Sequence, residues 1–136
     1  MKSSAAFELA RQIAEQSDFT RTQVGCLITY TGIPIASGFN SNKTHPMQKD
    51  YNKYRGGEND DNFVPKLHAE IAALSKLKDI SGLDAKKLRL HVYRIRKDQK
   101  YGMARPCPSC MKAIRDAGIR KIHYTTNNGF AEEILY

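Results

Sequence analysis

Two short segments of the sequence carry side chains that can bind a metal ion. The first contains His68 and Glu70, and the second, further along the chain, contains Cys107 and Cys110. One imidazole and two thiolates supply three of the four donors around a tetrahedral zinc ion. A fourth position left for water is typical of a catalytic zinc site rather than a structural one. The residue types therefore predict a catalytic zinc site with His68, Cys107 and Cys110 as ligands.

The spacing of the cysteines suits this role. Cys107 and Cys110 are three positions apart, so a helix that begins at Pro106 or Cys107 places both on one side of its first turn. Unpaired backbone N–H groups and the positive end of the helix dipole stabilise thiolates there. His68 stands at the equivalent start of another predicted helix. The three donors converge if the two helix starts meet over the ends of the strands.

Each motif alone also has other readings. A Cys-x-x-Cys pair is equally typical of a thioredoxin-like redox site or of half a zinc ribbon, and His-x-Glu is a common start of a surface helix. A ribbon needs a second cysteine pair, and only Cys26 remains. The redox motif normally opens the first helix after an early strand, whereas this pair lies late in the chain. We interpret Cys26 as a buried strand residue and His91 and His123 as structural or surface residues of strands.

The hydrophobic pattern predicts the elements that must position these residues. Helices are predicted at residues 4–16, from just after Pro65 to about Asp79, and from Pro106 or Cys107 to Ala117-Gly118. Strands are predicted at residues 24–30, 33–39, 88–95 and 119–125, with a turn at Thr31-Gly32 and a short last element at 130–136. The polar stretch 40–65 predicts a long loop with at most a helical turn, and residues 94–105 predict a basic loop.

This order of elements predicts a single domain over residues 1–136, a three-layer α-β-α fold with a central mixed sheet of four to five strands. A chain of 136 residues can bury a core without disulfides. Its three cysteines, an odd number, argue against a secreted disulfide framework, so we expect a cytoplasmic location. No apolar run approaches the roughly 18 residues of a membrane span, so we expect no membrane partner.

The charge balance favours phosphorylated partners. Lys and Arg number 22 against 14 Asp and Glu, which gives a net charge of +8. Such an excess of positive charge attracts nucleotides or nucleic acid through their phosphate groups.

The combined motifs resemble those of a known family. His68-Ala69-Glu70 with Pro106-Cys107-Pro108-Ser109-Cys110 resembles the signature of the zinc-dependent cytidine and deoxycytidylate deaminase superfamily. The likeness extends to Val24-Gly25, Gly38-Phe39-Asn40 and Ala117-Gly118-Ile119, and spans roughly residues 4 to 125. It implies a cytidine-deaminase-like fold and hydrolysis of a cytosine amine to a carbonyl with release of ammonia.

The resemblance also implies roles for individual residues. The three zinc ligands hold the metal, and Glu70 moves protons from water to the ring nitrogen and to the departing amine. The small Ala69 leaves room for the ring. Further substrate contacts are expected at Val24, at Asn40 (sugar or base), at the carbonyl of Arg105 (amino group) and at His45, which follows Asn40 closely enough to line the pocket.

The histidine ligand bears on the substrate. Free-nucleoside cytidine deaminases of the superfamily usually carry cysteine at that position, and bacterial and phage deoxycytidylate deaminases are closest to this chain in size and strand order. We therefore expect a pyrimidine nucleotide such as dCMP, with its 5′-phosphate bound by Arg94, Arg96 or Arg105. The stretch 41–65 has no cysteine and only His45 to bind a second metal, so we expect one zinc per chain.

Two other functions remain open from the sequence. One is a deaminase that acts on single-stranded DNA or RNA, which the positive charge favours together with Tyr51, Tyr54 and Tyr101 as stacking partners for bases. The other is a non-catalytic binding module stabilised by zinc. Members of the superfamily usually assemble as dimers to hexamers, which implies a homo-oligomer of undefined size.

Overall fold

The computed structural model describes residues 3–19, 22–55, 66–77, 82–98 and 101–135. The helices are α1 (Ser3–Ala14), α2 (Pro46–Tyr51), α3 (Ala69–Leu74) and α4 (Pro108–Asp116). The strands are β1 (Gln23–Tyr30), β2 (Ile33–Phe39), β3 (Leu88–Ile95), β4 (Tyr101–Gly102), β5 (Lys121–Thr126) and β6 (Gly129–Ile134). Short 3₁₀ helices lie at Asn52–Arg55 and Ala85–Lys87. None of the described helices is both long enough and apolar enough to cross a membrane.

The strands form one mixed sheet in the order β2-β1-β3-β5-β6, and β4 pairs with the end of β3. Strands β3 and β5 are parallel, and the other neighbours are antiparallel. The predicted α/β class with a central mixed sheet is confirmed. The sheet has six strands, against four to five predicted, because the two-residue β4 lies inside the stretch predicted as a basic loop.

Helices cover both faces of this sheet. On β3, Leu90 and Val92 pack in the core formed with α3 and α4. The alternate residues His91 and Tyr93 turn to the other face, where Phe7 of α1 meets the His91 ring edge-on. This alternation follows from the period of two along a strand and produces the predicted three layers.

Two glycines let the helices lie directly on the strands. A β carbon at Gly25 would collide with the carbonyl oxygen of Ala10 in α1, and one at Gly38 would lie 2.6 Å from the β carbon of Ala72 in α3. No side chain fits at either position without displacing backbone. The close contact at Gly38 fixes α3, which carries the chemical residues, against the β1–β2 hairpin.

The largest difference from the prediction lies between β2 and α3. The stretch predicted as a loop contains α2, with Pro46 in its first turn and His45 as its N-cap, and the 3₁₀ helix that follows. Proline suits the first turn of a helix because its missing N–H would be unpaired there anyway. The acidic run 58–61 and Pro65 lie outside the described residues.

Two helix boundaries also differ. Helix α3 ends at Leu74 with Ser75 as its C-cap, earlier than predicted, and residues 78–81 lie outside the described part of the chain. Helix α4 begins at Pro108, so this proline occupies the early helical position expected for Pro106. Cys107 is therefore the N-cap of α4 rather than a residue of its first turn.

Candidate active site

The starts of α3 and α4 bring the predicted zinc ligands together. His68 is the N-cap of α3 and Cys107 is the N-cap of α4, and neither side chain caps its own helix. Cys110 lies one turn into α4 and is fully buried. Because the helices pack side by side on one face of the sheet, their first turns meet at the same sheet edge.

The donor atoms have spacings that suit a tetrahedral ion. His68 Nδ1 lies 3.3 Å from Cys110 Sγ and 3.6 Å from Cys107 Sγ. All three donor atoms lie within 4.8 Å of one another. Tetrahedral zinc, with bonds of about 2.3 Å to sulfur and about 2.0 Å to nitrogen, requires nitrogen–sulfur separations of about 3.5 Å. The donor set and its spacing fit zinc.

The two sulfurs differ in charge. A hydrogen bond from the Cys110 thiol, together with His68 and Ser109, lowers the pKa of Cys107 to about 3. The Ser109 hydroxyl lies 3.0 Å from Cys107 Sγ and is itself buried. The neighbouring Cys107 sulfur and burial raise the pKa of Cys110 well above its usual value. Cys107 is therefore the thiolate of the pair, and a cation bound to both sulfurs has to displace the proton of Cys110.

Glu70 is the second residue of α3, and only 6% of its surface is exposed. Burial raises its pKa, and the nearby His68 opposes part of that rise. A carboxyl group whose pKa is moved toward neutrality can both accept and return a proton, which suits general acid–base catalysis. Glu70 is also in the wall of the cavity described below, next to two of the zinc donors.

Gln48 of α2 fixes the position of His68. Its side chain is fully buried, and its Oε1 accepts a hydrogen bond of 2.9 Å from the backbone N–H of His68. Its Nε2 donates to Asn52 Oδ1 at 2.9 Å, so both ends of the amide are used. Sequence reasoning missed this residue because it lies in a polar stretch without hydrophobic periodicity, where Pro46 was the only sign of a helix.

A cavity of about 230 Å³ opens beside these groups. Eight predicted site residues line it: Val24, Asn40, His68, Ala69, Glu70, Arg94, Arg105 and Cys107. Thr22, Val92, Met103 and Ala104 complete the lining and were not predicted. Val24 of β1 pairs with Arg94 of β3, and Thr22 and Val92 lie two positions before these residues. Knowledge of this pairing would therefore have identified them.

The amide of Asn40 holds the rim of the cavity. Its Oδ1 accepts from the backbone N–H of Val24 and its Nδ2 donates to the carbonyl of Thr22, each at 2.9 Å. Its own carbonyl oxygen accepts from Ser17 Oγ at 2.7 Å. Asn40 therefore fixes the start of β1 against the end of β2 while it lines the cavity.

The three arginines expected to bind a phosphate have different partners. Arg105 makes two hydrogen bonds to Glu133, of 3.0 and 2.9 Å, and Arg96 pairs with Asp98 at 3.3 Å on the surface. Arg94 donates from Nη1 to the carbonyl of Met103 at 3.3 Å, and its buried Nε has no hydrogen-bond partner among the described residues. Arg94 and Arg105 both line the cavity. Arg105 is paired with Glu133, whereas Arg94 has no carboxylate partner within the described residues.

The remaining predicted contacts lie elsewhere. His45 Nδ1 accepts from the backbone N–H of Met47 at 3.1 Å, so this ring caps α2, and His45 is not among the residues that line the cavity. Tyr51 donates to Asp116 at 2.7 Å, Tyr54 packs beside Tyr51, and Tyr101 packs against Tyr93 and Phe130. Cys26 is buried in a strand, as predicted.

Comparison with known proteins agrees with this geometry. The family model described as "Cytidine and deoxycytidylate deaminase zinc-binding region" matches residues 1–126. The protein therefore belongs to the cytidine and deoxycytidylate deaminase family, a class whose fold and zinc-binding region support deamination of cytosine nucleosides and nucleotides. No curated protein sequence matches the chain.

Solved structures share the fold. Cytidine deaminase from Burkholderia pseudomallei has a TM-score of 0.66 at 16% identity, with 98% of this chain and 93% of that chain covered. The apo dCMP deaminase of the cyanophage S-TIM5 has a TM-score of 0.62 at 25% identity, with coverage of 91% and 84%. The same phage enzyme in complex with dCMP and dUMP gives 0.61 at 24% identity, with coverage of 91% and 82%.

Proposed function

We propose that this protein is a zinc-dependent hydrolase that converts the cytosine of a pyrimidine nucleotide, with dCMP as the expected substrate, into uracil and ammonia. The observation that carries the proposal is one cavity lined by Glu70, His68, Cys107 and Arg94. It combines a proton carrier, two metal donors and a cation within the reach of one small molecule. The similarity to a phage enzyme solved with dCMP and dUMP supports a nucleotide substrate.

The zinc ion would be held by His68, Cys107 and Cys110, one ion per chain. Zinc in this donor set supplies the Lewis acidity that makes water a nucleophile near neutral pH. Two thiolates and one neutral imidazole balance the charge of the metal, and the hydrogen bond from the backbone N–H of His68 to Gln48 Oε1 fixes the main chain that carries the imidazole.

Glu70 moves the protons of the reaction. It takes a proton from the attacking water and delivers it to the ring nitrogen beside the amino-bearing carbon. It then takes the second proton from the hydroxyl group now on the ring carbon and gives it to the departing amine, so that the C–N bond breaks, ammonia leaves and the carbon keeps the oxygen of water as a carbonyl. Burial raises the pKa of Glu70, because it disfavours the charged carboxylate. A raised pKa helps the carboxylate to accept a proton and to hold it until it is transferred.

The surrounding residues orient the base. Ala69 presents only a methyl group, and its backbone N–H belongs to the first turn of α3, where amides have no partner within the helix. We assign this N–H to the ring carbonyl and the backbone carbonyl of Arg105 to the amino group. Val24 and Asn40 supply the opposite wall, where the base and sugar would lie.

Arg94 is proposed to bind the 5′-phosphate. Arg94 lines the cavity, and a phosphate there would be an acceptor for its guanidinium, whose buried Nε has no hydrogen-bond partner among the described residues. Gly102 leaves space for the stem of Arg94, since a β carbon there would lie 2.8 Å from Arg94 Cδ. Arg105 is a weaker candidate because Glu133 already occupies its guanidinium.

Deamination of single-stranded DNA or RNA has less support. The net charge of +8 favours it. The tyrosines expected to stack on bases instead pack on the protein: Tyr51 on α4 through Asp116, and Tyr101 on Tyr93 and Phe130.

A homo-oligomer is also proposed. The outer strands β2 and β6 present exposed apolar side chains at Ile33, Phe130 and Ile134. Exposed apolar edge strands are usually covered by a partner. Light scattering coupled to size-exclusion chromatography would determine the number of copies, and a monomer at all accessible concentrations would contradict the proposal.

The substrate proposal is tested by measuring uracil and ammonia from the zinc-loaded protein. Deoxycytidine, dCMP, CMP, dCTP and a cytosine-bearing oligonucleotide are compared at equal concentration. We expect the highest kcat/KM for a mononucleotide, and for dCMP at least ten times that for deoxycytidine. Turnover of the oligonucleotide alone would contradict the nucleotide assignment, and no turnover of any substrate would favour a non-catalytic zinc module.

A further inference from the structure

A second, larger cavity lies far from the zinc donors. Its volume is about 520 Å³, and it opens where β1 ends and β3 and β5 begin, on the sheet face covered by α1. Four cationic side chains line it: Lys86, Lys87, Arg89 and Lys121. Thr29, Thr31 and His91 also line it, and none of the described acidic residues does. None of the residues assigned above to catalysis or zinc binding lines this cavity.

The cations of this cavity are poorly neutralised. Within the described part of the chain, no ion pair joins Lys86, Lys87 or Arg89 to a carboxylate. Lys121 has a distant partner, Glu132, at 3.8 Å. The nearby Asp84 is used differently, because its carboxylate accepts from the backbone N–H of Lys86 and caps the 3₁₀ helix. The cavity therefore concentrates positive charge at one end of the sheet.

The sheet register places two of these cations side by side. Arg89 pairs with Thr29 on β1 and with Lys121 on β5, so the three side chains form one row across the same face. Like charges on directly paired residues of neighbouring strands destabilise a sheet. A bound anion shared by Arg89 and Lys121 would convert this repulsion into attraction.

The buried imidazole of His91 is a second indication of an anionic ligand. His91 is only 3% exposed, lines the cavity and stacks on His123 with ring centroids 4.7 Å apart. Its Nε2 lies 3.4 Å from Thr29 Oγ1, while its Nδ1 has no hydrogen-bond partner among the residues that the structure describes. Buried ring nitrogens normally have a partner, so the unpaired Nδ1 needs an explanation.

We propose that this cavity binds a small phosphate-bearing anion, at a site separate from the catalytic cavity. The lysine and arginine side chains supply the charge and donate hydrogen bonds to the phosphate oxygens. The volume falls within the range of about 300–1,000 Å³ usual for small-molecule sites. The phosphate can belong to an inorganic polyphosphate or to a nucleotide. The proposal does not depend on the deaminase activity.

The test is isothermal titration calorimetry of the zinc-loaded protein with inorganic tripolyphosphate at near-physiological salt. We expect one binding event per chain at this site, and at least a tenfold rise in Kd in the double variant Lys87→Gln/Arg89→Gln. The matched control is Lys49→Gln/Arg115→Gln, which removes the same charges from exposed positions on α2 and α4. We expect its Kd to stay within twofold of the unmodified protein. Equal weakening in both variants, or no binding to the unmodified protein, would overturn the proposal.

Two further experiments determine which cavity binds the anion and whether the phosphate belongs to a nucleotide. The variant Arg94→Gln should retain the binding event, and its loss would place the anion in the catalytic cavity instead and overturn the proposal. Tighter binding of dATP than of tripolyphosphate would identify a nucleotide as the source, and equal or weaker binding would identify the phosphate chain alone. NMR of the unmodified protein should show tripolyphosphate-induced shifts of Thr31, Arg89 and the His91 ring. Shifts confined to the catalytic residues would contradict the site.

Discussion

The zinc-donor cavity and the larger cationic cavity are built in opposite ways. In the catalytic cavity, specific hydrogen bonds fix the chemical groups: Gln48 holds His68, Ser109 contacts Cys107, and Asn40 holds Val24. In the larger cavity, Lys86, Lys87 and Arg89 stand without carboxylate partners among the described residues. Hydrogen bonds thus fix the positions of the chemical groups in the first cavity, whereas the larger cavity gathers positive charge.

Substitutions in the two cavities should therefore have different effects. Where geometry is fixed, loss of one atom removes a specific step, because a ligand or a proton carrier has no substitute. In the larger cavity, each cation contributes part of the total positive charge, and salt screens that charge. Loss of one cation should therefore weaken anion binding only in part. The predictions below test this contrast.

The largest effect is expected for Cys110→Ser. Loss of a thiolate from a donor set of three should reduce zinc from about one ion per chain to a small fraction and abolish turnover of dCMP. Elemental analysis after dialysis measures the zinc content. The matched control is Cys26→Ala, which removes another fully buried cysteine from the same core. Zinc retained in Cys110→Ser, or lost from Cys26→Ala, would contradict the ligand assignment.

A smaller and more selective effect is expected for Arg94→Gln. A charge-assisted contact to phosphate is worth about 1.5–3 kcal/mol, so kcat/KM for dCMP should fall by about 10- to 100-fold. The kcat/KM for deoxycytidine, which has no phosphate, should change less than threefold. Arg96→Gln is the control, since this arginine pairs with Asp98 on the surface. Equal losses on both substrates would show that Arg94 supports the cavity instead of reading the phosphate.

The support of the metal site is tested by Gln48→Leu. This substitution leaves the backbone N–H of His68 without its acceptor, and a buried unpaired donor costs about 1–3 kcal/mol. Urea unfolding should therefore show a lower free energy of unfolding, by about 2 kcal/mol. Gln16→Leu, at an exposed position after α1, should change it by less than about 0.5 kcal/mol. An unchanged stability of Gln48→Leu would remove the proposed role of α2.

The second cavity should show a graded pH effect through His91. Burial, the neighbouring His123 and Arg89 lower the pKa of His91 from 6.5 to about 4. In the unfolded chain the ring takes up a proton near pH 6.5, whereas the folded protein resists it until about pH 4. The unfolded state thus binds more protons in this window, and the free energy of unfolding falls as the pH falls.

His91→Gln should remove part of this slope. The expected difference between the two proteins, from pH 7 to pH 4, is about 1–2 kcal/mol, because solvent at the cavity mouth screens part of the effect. Carboxylates contribute equally to both proteins and cancel in the comparison. His123, whose pKa is also lowered by burial, keeps a residual slope in the variant. Identical slopes would show that His91 does not resist protonation.

The sequence predicted the chemical residues better than their supports. His68, Cys107 and Cys110 were predicted as one group because zinc requires particular donor types at particular spacings, and the structure brings their donor atoms within 4.8 Å of one another. Strand β3 was predicted over its full length because its residues alternate or are β-branched. Gln48 was missed because a buried amide in a polar stretch gives no periodic signal. His45 was expected in the pocket from its proximity to Asn40 in sequence, but it caps α2 instead.

The second cavity shows the same limit. Arg89 and Lys121 are distant in sequence, and they become neighbours through the parallel pairing of β3 with β5. Strand order and register arise from tertiary packing rather than from local pattern. The sequence could therefore reveal the excess of positive charge but not where the fold gathers it.

The central claim is that three side chains hold a metal beside one cavity and that Glu70, in the wall of that cavity, moves the protons. The most direct test compares the zinc content and the rate of uracil formation from dCMP in the unmodified protein, Glu70→Gln and the surface control Glu15→Gln. We predict one zinc per chain in all three, with a loss of at least about 1,000-fold in kcat only in Glu70→Gln. Zinc bound in Glu70→Gln with undiminished uracil formation would contradict the claim.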